Sequence, residues 1–458
     1  MSDRFIELFN KQKAYFKTYE TKDINFRIQS LIKLQSAIKK YEKEIINALY
    51  QDLGKSEYES YMCEVGLVYS EITYMLKNIR KFTRNHTVNT PLAHFASHSY
   101  TKASPYGNTL VMSPWNYPFL LTLDPVVDAI AAGNTVIVKP SAYSPHTGEV
   151  VKKLIEETFD EKYIAVVLGG RKENAALLDL KFDMIFFTGS EFVGKEVLRH
   201  AAENLIPCVL ELGGKSPCIV EKTANIPLAA KRIIFGKFIN SGQTCVAPDY
   251  ILCDASIKEK LIEELIKQIK IQYGDNAVDN PNFGKIINEK HYDRLLGLIN
   301  QEKVVFGGNG DRSKLKINPT ILDNVTLDDA VMQEEIFGPI LPIMTYDNFD
   351  EVYDFVNDKK KPLALYLYSE DKQIIKLVSE RIQFGGGCIN DCIIQVATSE
   401  MGFGGVGESG MGSYHGYEGF KAFSHTKSII DKKTWLDLPM RYQPYQEKYR
   451  KMLKMFLK

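Results

Sequence analysis

The stretch Met184-Ile185-Phe186-Phe187-Thr188-Gly189-Ser190-Glu191-Phe192-Val193-Gly194 decides the fold. Its apolar start reads as a strand covered on both faces. Gly189 supplies a tight turn, Ser190 is placed to cap, and residues 191–202 read as the helix that follows. Free backbone N–H groups at such a helix start, with its dipole, make a site for a diphosphate. The pattern is not the GxGxxG fingerprint of ordinary dinucleotide folds. Taken alone, a Gly-Ser cap is more often a plain strand-to-helix turn, and the signal is weak until joined to others.

Outward from this stretch, apolar runs of the same kind occupy residues 109–112, 135–138 and 164–168, with a helical stretch at 145–159. Their starts are roughly 20 to 30 residues apart, the size of a βαβ unit. Continuous rather than alternating apolar runs indicate a parallel sheet with helices on each side. A second series at 209–210, 216–220, 250–253, 304–306, 320–322, 340–346 and 363–368 reads as another α/β domain. Ahead of both, Ile28, Leu31, Leu34, Ile38, Ile45 and Leu49 fall at helical spacing. Residues 86–102, rich in Thr and Ser, read as an extended excursion toward another domain or subunit.

The 458 residues carry 57 Lys plus Arg against 57 Asp plus Glu, so no chain-wide electrostatic footprint for nucleic acid exists. The most apolar stretch, 119–138, is interrupted by Asp124, Pro125, Asp128, Gly133 and Asn134, far from the ~20 clean residues of a membrane span. Met1-Ser2-Asp3-Arg4 lacks the apolar run of a secretory signal, which points to a cytoplasmic enzyme. Seven scattered cysteines are no disulfide framework and fit a reducing compartment. Cys388 and Cys392 have no Cys or His pair nearby to complete a zinc site, so no metal is expected.

Several segments carry chemistry. In Pro207-Cys208-Val209-Leu210-Glu211-Leu212-Gly213-Gly214-Lys215-Ser216-Pro217, an acid sits between leucines on a buried strand. Desolvation there raises its pKa toward the range of a general base; a salt bridge to Lys215 is the bland alternative. Asn240-Ser241-Gly242-Gln243-Thr244-Cys245 displays a thiol on a Gly-containing loop among small residues, which presents a nucleophile rather than burying one. Ser113-Pro114-Trp115-Asn116-Tyr117-Pro118 brings an amide side chain to the carboxyl end of a strand, where α/β sites lie. Lys139-Pro140-Ser141 follows another strand, and Glu334-Glu335-Ile336-Phe337-Gly338-Pro339 puts two carboxylates and an aromatic ring before a third.

In this order, Pro-Trp-Asn, Phe-Thr-Gly-Ser, Glu-Leu-Gly-Gly-Lys-Ser-Pro, Gly-Gln-x-Cys and Glu-Glu-Ile-Phe-Gly-Pro resemble the aldehyde dehydrogenase superfamily. The segments 243–250 and Gly410-Met411-Gly412-Ser413-Tyr414-His415-Gly416 are similar to its class 3 branch, and the likeness spans residues 10 to 430. The resemblance implies an α/β fold: a Rossmann-like parallel-sheet cofactor domain (1–83 and 105–210), a second α/β catalytic domain (211–400), and a small β bridging extension (84–104 and 421–445). It implies that Cys245 attacks the aldehyde carbon, that Asn116 and the Cys245 N–H hold the oxyanion, and that Glu211 activates the water that hydrolyses the thioester. It places Trp115, Lys139, Ser141, Gly189, Ser190, Val193, Gly194, Leu212, Glu335 and Phe337 around a nicotinamide cofactor, and it implies a homodimer. Tyr117, Ile394 and Phe403 are expected to line an apolar tunnel for a hydrophobic aliphatic or aromatic aldehyde.

The departures concern specificity. Ala142 stands where many relatives have a Glu that binds the adenosine ribose, so use of either NAD or NADP is expected. Gln395 replaces a frequent His near the tunnel, Met401-Gly402 a Leu-Pro, and Glu408 an Asn. At the carboxyl end, Tyr445, Tyr449, Met452, Leu453 and Phe456 share a helical face, with Lys448, Arg450, Lys451, Lys454 and Lys458 mostly opposite. Such a basic amphipathic tail (446–458) packs on its own protein or frays, or else makes weak peripheral contact with an anionic membrane. Competing functions are a semialdehyde or coenzyme A-acylating dehydrogenase of the same fold, a cofactor-free thiol hydrolase, and a non-catalytic binding protein.

Overall fold

The computed structural model describes residues 2–456. Met1, at the head of the N-terminal stretch read above, and Leu457 and Lys458, at the end of the tail, lie outside the described residues, as does the Phe456 side chain. The fold is mixed α/β with two parallel, Rossmann-like sheets. The first sheet has the order Gly410–Met411, Cys208–Glu211, Met184–Thr188, Asn108–Met112, Thr135–Lys139, Ile164–Val166. All neighbours are parallel except the first pair. Every residue of Met184–Thr188, Asn108–Met112 and Thr135–Lys139 is buried, which is why these strands read as unbroken apolar runs.

Register then places the motifs. Met112 lies opposite Phe187 and Lys139, and Thr188 lies opposite Glu211. The loops that follow these four strands therefore emerge together along one carboxyl edge, the usual place for a site in such sheets.

The second sheet runs Val304–Phe306, Thr320–Leu322, Ile340–Tyr346, Tyr250–Asp254, Pro217–Val220, Ala364–Tyr368, Gly386–Ile389, antiparallel only at Val304–Phe306. Residues 212–216 carry the chain from Glu211, at the carboxyl end of its strand, to Pro217, at the amino end of the next. The cleft between the sheets is accordingly walled by the carboxyl edge of one and the amino edge of the other. The strand at 208–211, grouped with the second series in the sequence reading, pairs in the first sheet. The returning strand Gly410–Met411 completes that sheet from far along the chain, a contact that no local pattern announces.

A third sheet, antiparallel, joins His86–Val88, Ser97–Pro105 and Ser424–Lys432. The chain then continues to an exposed helix, Glu447–Phe456, whose described side chains are in water apart from half-buried Tyr449. The described part of the tail is thus helical and exposed, neither packed on its own chain nor frayed. No helix among the described residues is long and apolar enough to cross a membrane.

Candidate active site

The loop that carries Cys245 follows the helix Ile226–Phe238. Asn240 and Ser241 both have φ 52°, and Gly242 has φ 75°, so the backbone passes through three left-handed residues in succession. Two of these carry side chains and are strained, so the surroundings must hold them. Glu59 Oε1 accepts from the Asn240 N–H at 2.9 Å, and Ser241 Oγ donates to the Gly284 carbonyl at 2.7 Å. Gln243 donates to the carbonyls of Asn240 and Lys285, both at 3.0 Å, and accepts from the Ile287 N–H at 3.0 Å. A Cβ at Gly242 would strike the Gly338 carbonyl, so only glycine fits where this loop passes the 334–339 loop. The Gln of the Gly-Gln-x-Cys pattern is thus a strut, and it leaves Cys245 half-buried at the cavity wall.

Asn116 reaches the same place from the first sheet. Its Nδ2 donates to the Gln243 carbonyl at 3.0 Å, which commits one amide hydrogen and leaves the other for an oxyanion. Glu211 is 1% exposed, and neither carboxylate oxygen has a hydrogen-bond partner. Burial pushes its pKa well above the ordinary carboxylate range. The alternative salt bridge to Lys215 does not form. The Lys215 ammonium turns toward the second sheet, pairing with Asp249 at 2.6 Å and donating to the Val331 and Glu334 carbonyls at 2.9 Å. Asp249 in turn accepts from the Ile336 N–H at 3.0 Å, so this pair shapes the 334–336 loop. Cys245 itself is pushed up to about 12 by burial, and further by the Glu335 and Glu211 carboxylates, so its thiol is protonated near neutral pH.

Cys245 opens into an apolar cavity of about 250 Å³. Tyr117, Ile394 and Phe403 all line it, as the sequence reading expects. Ile394 is 52% exposed and stands at the mouth, whereas Phe403 is buried and Tyr117 shares a 2.6 Å hydroxyl contact with Thr244. Sequence reasoning missed Met62, Cys63 and Leu67, which line the cavity from the N-terminal helices, and Tyr414 with His415 behind it. Only the fold brings those segments there. Gln395 is absent from the lining: its amide donates to the Tyr366 hydroxyl at 3.1 Å and accepts from the Cys388 thiol at 2.9 Å. The position thus pins a turn. Glu408 borders the cleft on the opposite side of the site, and Met401 is exposed.

That opposite cleft, of about 540 Å³, is lined by Ser190, Gly213, Gly214 and Glu335 among others. Ser190 caps its helix by accepting from the Val193 N–H at 3.4 Å, and Gly194 lies against Leu212. Glu335 turns inward against Gly213, its carboxyl raised to about 8 by burial, while Glu334 turns outward to Arg294 at 3.1 Å. Phe337 meets the Trp115 ring edge-on at 5.3 Å, and His291, another residue not anticipated, lies 5.2 Å from Trp115. Lys139 is 3% exposed, donates only to the neighbouring Pro140 carbonyl, and is lowered by burial to about 8. Ser141 accepts from the Tyr143 N–H at 3.2 Å, and Ala142 is exposed. A capped helix start, a glycine cradle and a buried ammonium without an anionic partner suit a dinucleotide with its diphosphate and ribose hydroxyls.

Known proteins share this arrangement. The aldehyde dehydrogenase family model matches residues 3–429. The 4,4'-diaponeurosporen-aldehyde dehydrogenase of Staphylococcus aureus is 50% identical over 452 residues, covering 98% of each chain. The dimeric NADP-preferring aldehyde dehydrogenase of Canis lupus familiaris is 42% identical over 441 residues, covering 96% of this chain and 97% of its own. The solved substrate-bound state of Staphylococcus aureus AldH superposes with a TM-score of 0.97 at 50% identity, covering 99% of each chain. With the family model matched along nearly the whole chain and half of all residues shared with one member, the protein belongs to the aldehyde dehydrogenase family and is an oxidoreductase acting on aldehydes.

Proposed function

We propose that the chain oxidises a hydrophobic aldehyde to its carboxylic acid with NAD or NADP, through a thioester on Cys245. One observation carries the reading: a half-buried thiol opens into an apolar cavity between an anchored amide and a buried, unpartnered carboxylate. Glu211 in its ionised form, buried and without a hydrogen-bond partner, takes the Cys245 proton as sulfur attacks the carbonyl carbon. The free Asn116 amide hydrogen and the Cys245 N–H hold the oxyanion of the resulting thiohemiacetal. A bound nicotinamide dinucleotide supplies the acceptor for the hydride that this carbon gives up. Lys139, Ser141, Ser190, Val193 and the Gly189, Gly194 and Leu212 backbone would hold its adenosine and diphosphate; Trp115, Glu335 and Phe337 would border the nicotinamide end. Once Glu211 has passed the thiol proton to solvent, it draws a proton from water as the hydroxyl adds to the thioester carbon; the C–S bond breaks to release the acid, and the sulfur takes that proton back.

Substrate class follows from the walls. Among the described residues no Lys or Arg lines the cavity, and burial keeps the His415 there in its neutral form, so no cation there pairs with the carboxylate of a semialdehyde. The name of the Staphylococcus aureus relative is consistent with an apolar substrate. A coenzyme A-acylating reaction would leave Glu211 without a purpose, and a cofactor-free hydrolase would leave the Ser190 cleft and Lys139 without one. Residues 1–83 and 105–210 form the cofactor-binding part in this reading, 211–400 the catalytic part, and 84–104 with 421–445 the bridge to a second copy. The bridge presents Ser424–Lys432 as an unpaired sheet edge, and all seven thiols are free, which suits a cytoplasmic setting.

Cys245→Ala abolishes NADH formation in this scheme, whereas Glu211→Gln, which removes the base for both thiol and water, slows the NADH burst as well as steady turnover; a full one-equivalent burst at the unaltered rate confines Glu211 to the water step. Rapid-mixing absorbance reads both, and sustained turnover by Cys245→Ala refutes the nucleophile assignment. In a panel assayed with both nicotinamides, hexanal and benzaldehyde exceed succinic semialdehyde in kcat/KM. The NAD to NADP ratio stays below about a hundredfold, roughly 2.7 kcal/mol; a larger ratio shows that Ala142 does not relax cofactor choice. Light scattering finds two chains per particle; a monomer removes the bridging role of Ser424–Lys432. Finally, the full chain co-sediments with anionic vesicles more than a chain ending at 445 does, and equal sedimentation ends the membrane contact of the tail.

A further inference from the structure

Lys55 and Glu64 form an ion pair in which both side chains have no solvent exposure. Lys55 follows the helix Ile24–Leu53 directly after its left-handed cap, Gly54 at φ 66°. Glu64 lies on a π-turn, Tyr61–Val65, between the helices Glu57–Ser60 and Gly66–Phe82. Such turns insert an extra residue into a helix and recur at functional sites. Here the same turn brings Met62 and Cys63 to the cavity.

The pair grips the segment that carries Asn116 at two points. The Lys55 ammonium donates to the Asn116 carbonyl at 3.0 Å and lies 3.9 Å from the centre of the Tyr117 ring. Glu64 Oε2 accepts from the N–H groups of Phe119 and Leu120, at 2.8 and 3.2 Å, at the start of the helix Leu120–Ala132. The Asn116 carbonyl also accepts from Asn240 Nδ2 at 2.8 Å, which ties it to the nucleophile loop. Stability alone is a poor reason for this arrangement. A buried ion pair is often replaced by apolar residues of similar volume with no loss, because desolvation offsets the attraction.

We infer that the Lys55–Glu64 pair is a positioning device for the oxyanion hole, holding the 116–120 turn so that the Asn116 amide faces the carbon attacked by Cys245. The inference rests on the oxyanion role proposed for Asn116. Neither residue touches substrate; both act through the backbone of the turn.

The test uses the neutral double variant Lys55→Met with Glu64→Gln, which removes both charges of the pair together while the Gln carbonyl still accepts from Phe119 and Leu120. It lowers kcat by roughly tenfold to a hundredfold, the scale of a small misplacement of a catalytic group. The dissociation constant for the nicotinamide stays within about twofold, because neither residue of the pair lines the Ser190 cleft, and the fall in kcat exceeds any rise in KM for the aldehyde, whose cavity wall includes Tyr117. Glu64→Asp keeps both charges but shortens the reach by one methylene, and gives the same loss confined to kcat should the double variant fail to fold. Adding Asn116→Ala to the double variant costs no more than Asn116→Ala alone, since the pair acts through that residue. Unchanged kcat in the folded double variant or in Glu64→Asp, or fully additive losses, overturns the inference. If Asn116→Ala alone keeps its kcat, the oxyanion reading itself has failed.

Discussion

Three residues in a row, Asn240, Ser241 and Gly242, adopt left-handed backbone, and two of them are not glycine. That conformation costs energy and persists only where neighbours over-determine it. Here the neighbours come from all parts of the chain: Glu59 from the N-terminal helices, Gly284 and Lys285 from beyond the Tyr250–Asp254 strand, and Gly338 from the loop before Ile340. A loop pinned from so many sides cannot drift, and it fixes where the sulfur stands relative to Asn116 and Glu211. The same contacts knit the two sheets together, so catalytic geometry and sheet packing are one problem with one solution.

Dryness governs the electrostatics. Cys245, Glu211, Glu335 and Lys139 are all shifted toward their uncharged forms, with burial as the leading cause in each. Perturbed groups of this kind, gathered at one cleft, mark it as a candidate site for chemistry. Structural charges are handled differently. Lys215 pairs with Asp249 and Lys55 with Glu64, each also satisfied by backbone groups, so their charges serve to hold loops and stay away from the reacting atoms.

The two clefts differ in their walls. Tyr117, Phe403 and Ile394 line one, together with Cys245, and give it apolar surface; Ser190, Gly213 and Glu335 line the other, with backbone donors and polar groups. The carboxyl edge of the first sheet supplies Asn116, Lys139, Ser190 and Glu211, and the approach to the second sheet supplies Cys245 and Glu335. A short connection at 212–216 is what brings these edges face to face.

Local pattern was enough to determine the alternation of strands and helices, the parallel sheets, and the segments around Asn116, Glu211, Cys245 and Glu335, because burial on both faces and turn chemistry leave their mark on consecutive residues. It could not decide which of Glu334 and Glu335 turns inward, since adjacent carboxylates on one loop look alike until Arg294 takes one and Gly213 makes room for the other. Nor could it tell that Lys215 abandons Glu211 for Asp249, that Gln395 pins a turn, or that Met62 and Cys63 reach the cavity. Those outcomes depend on contacts between residues far apart in the chain, and the partner of a side chain is set only when the two sheets close on each other. The chemistry is written in sequence-local motifs; its alignment, and the choice among equivalent charges, belongs to the packed tertiary structure.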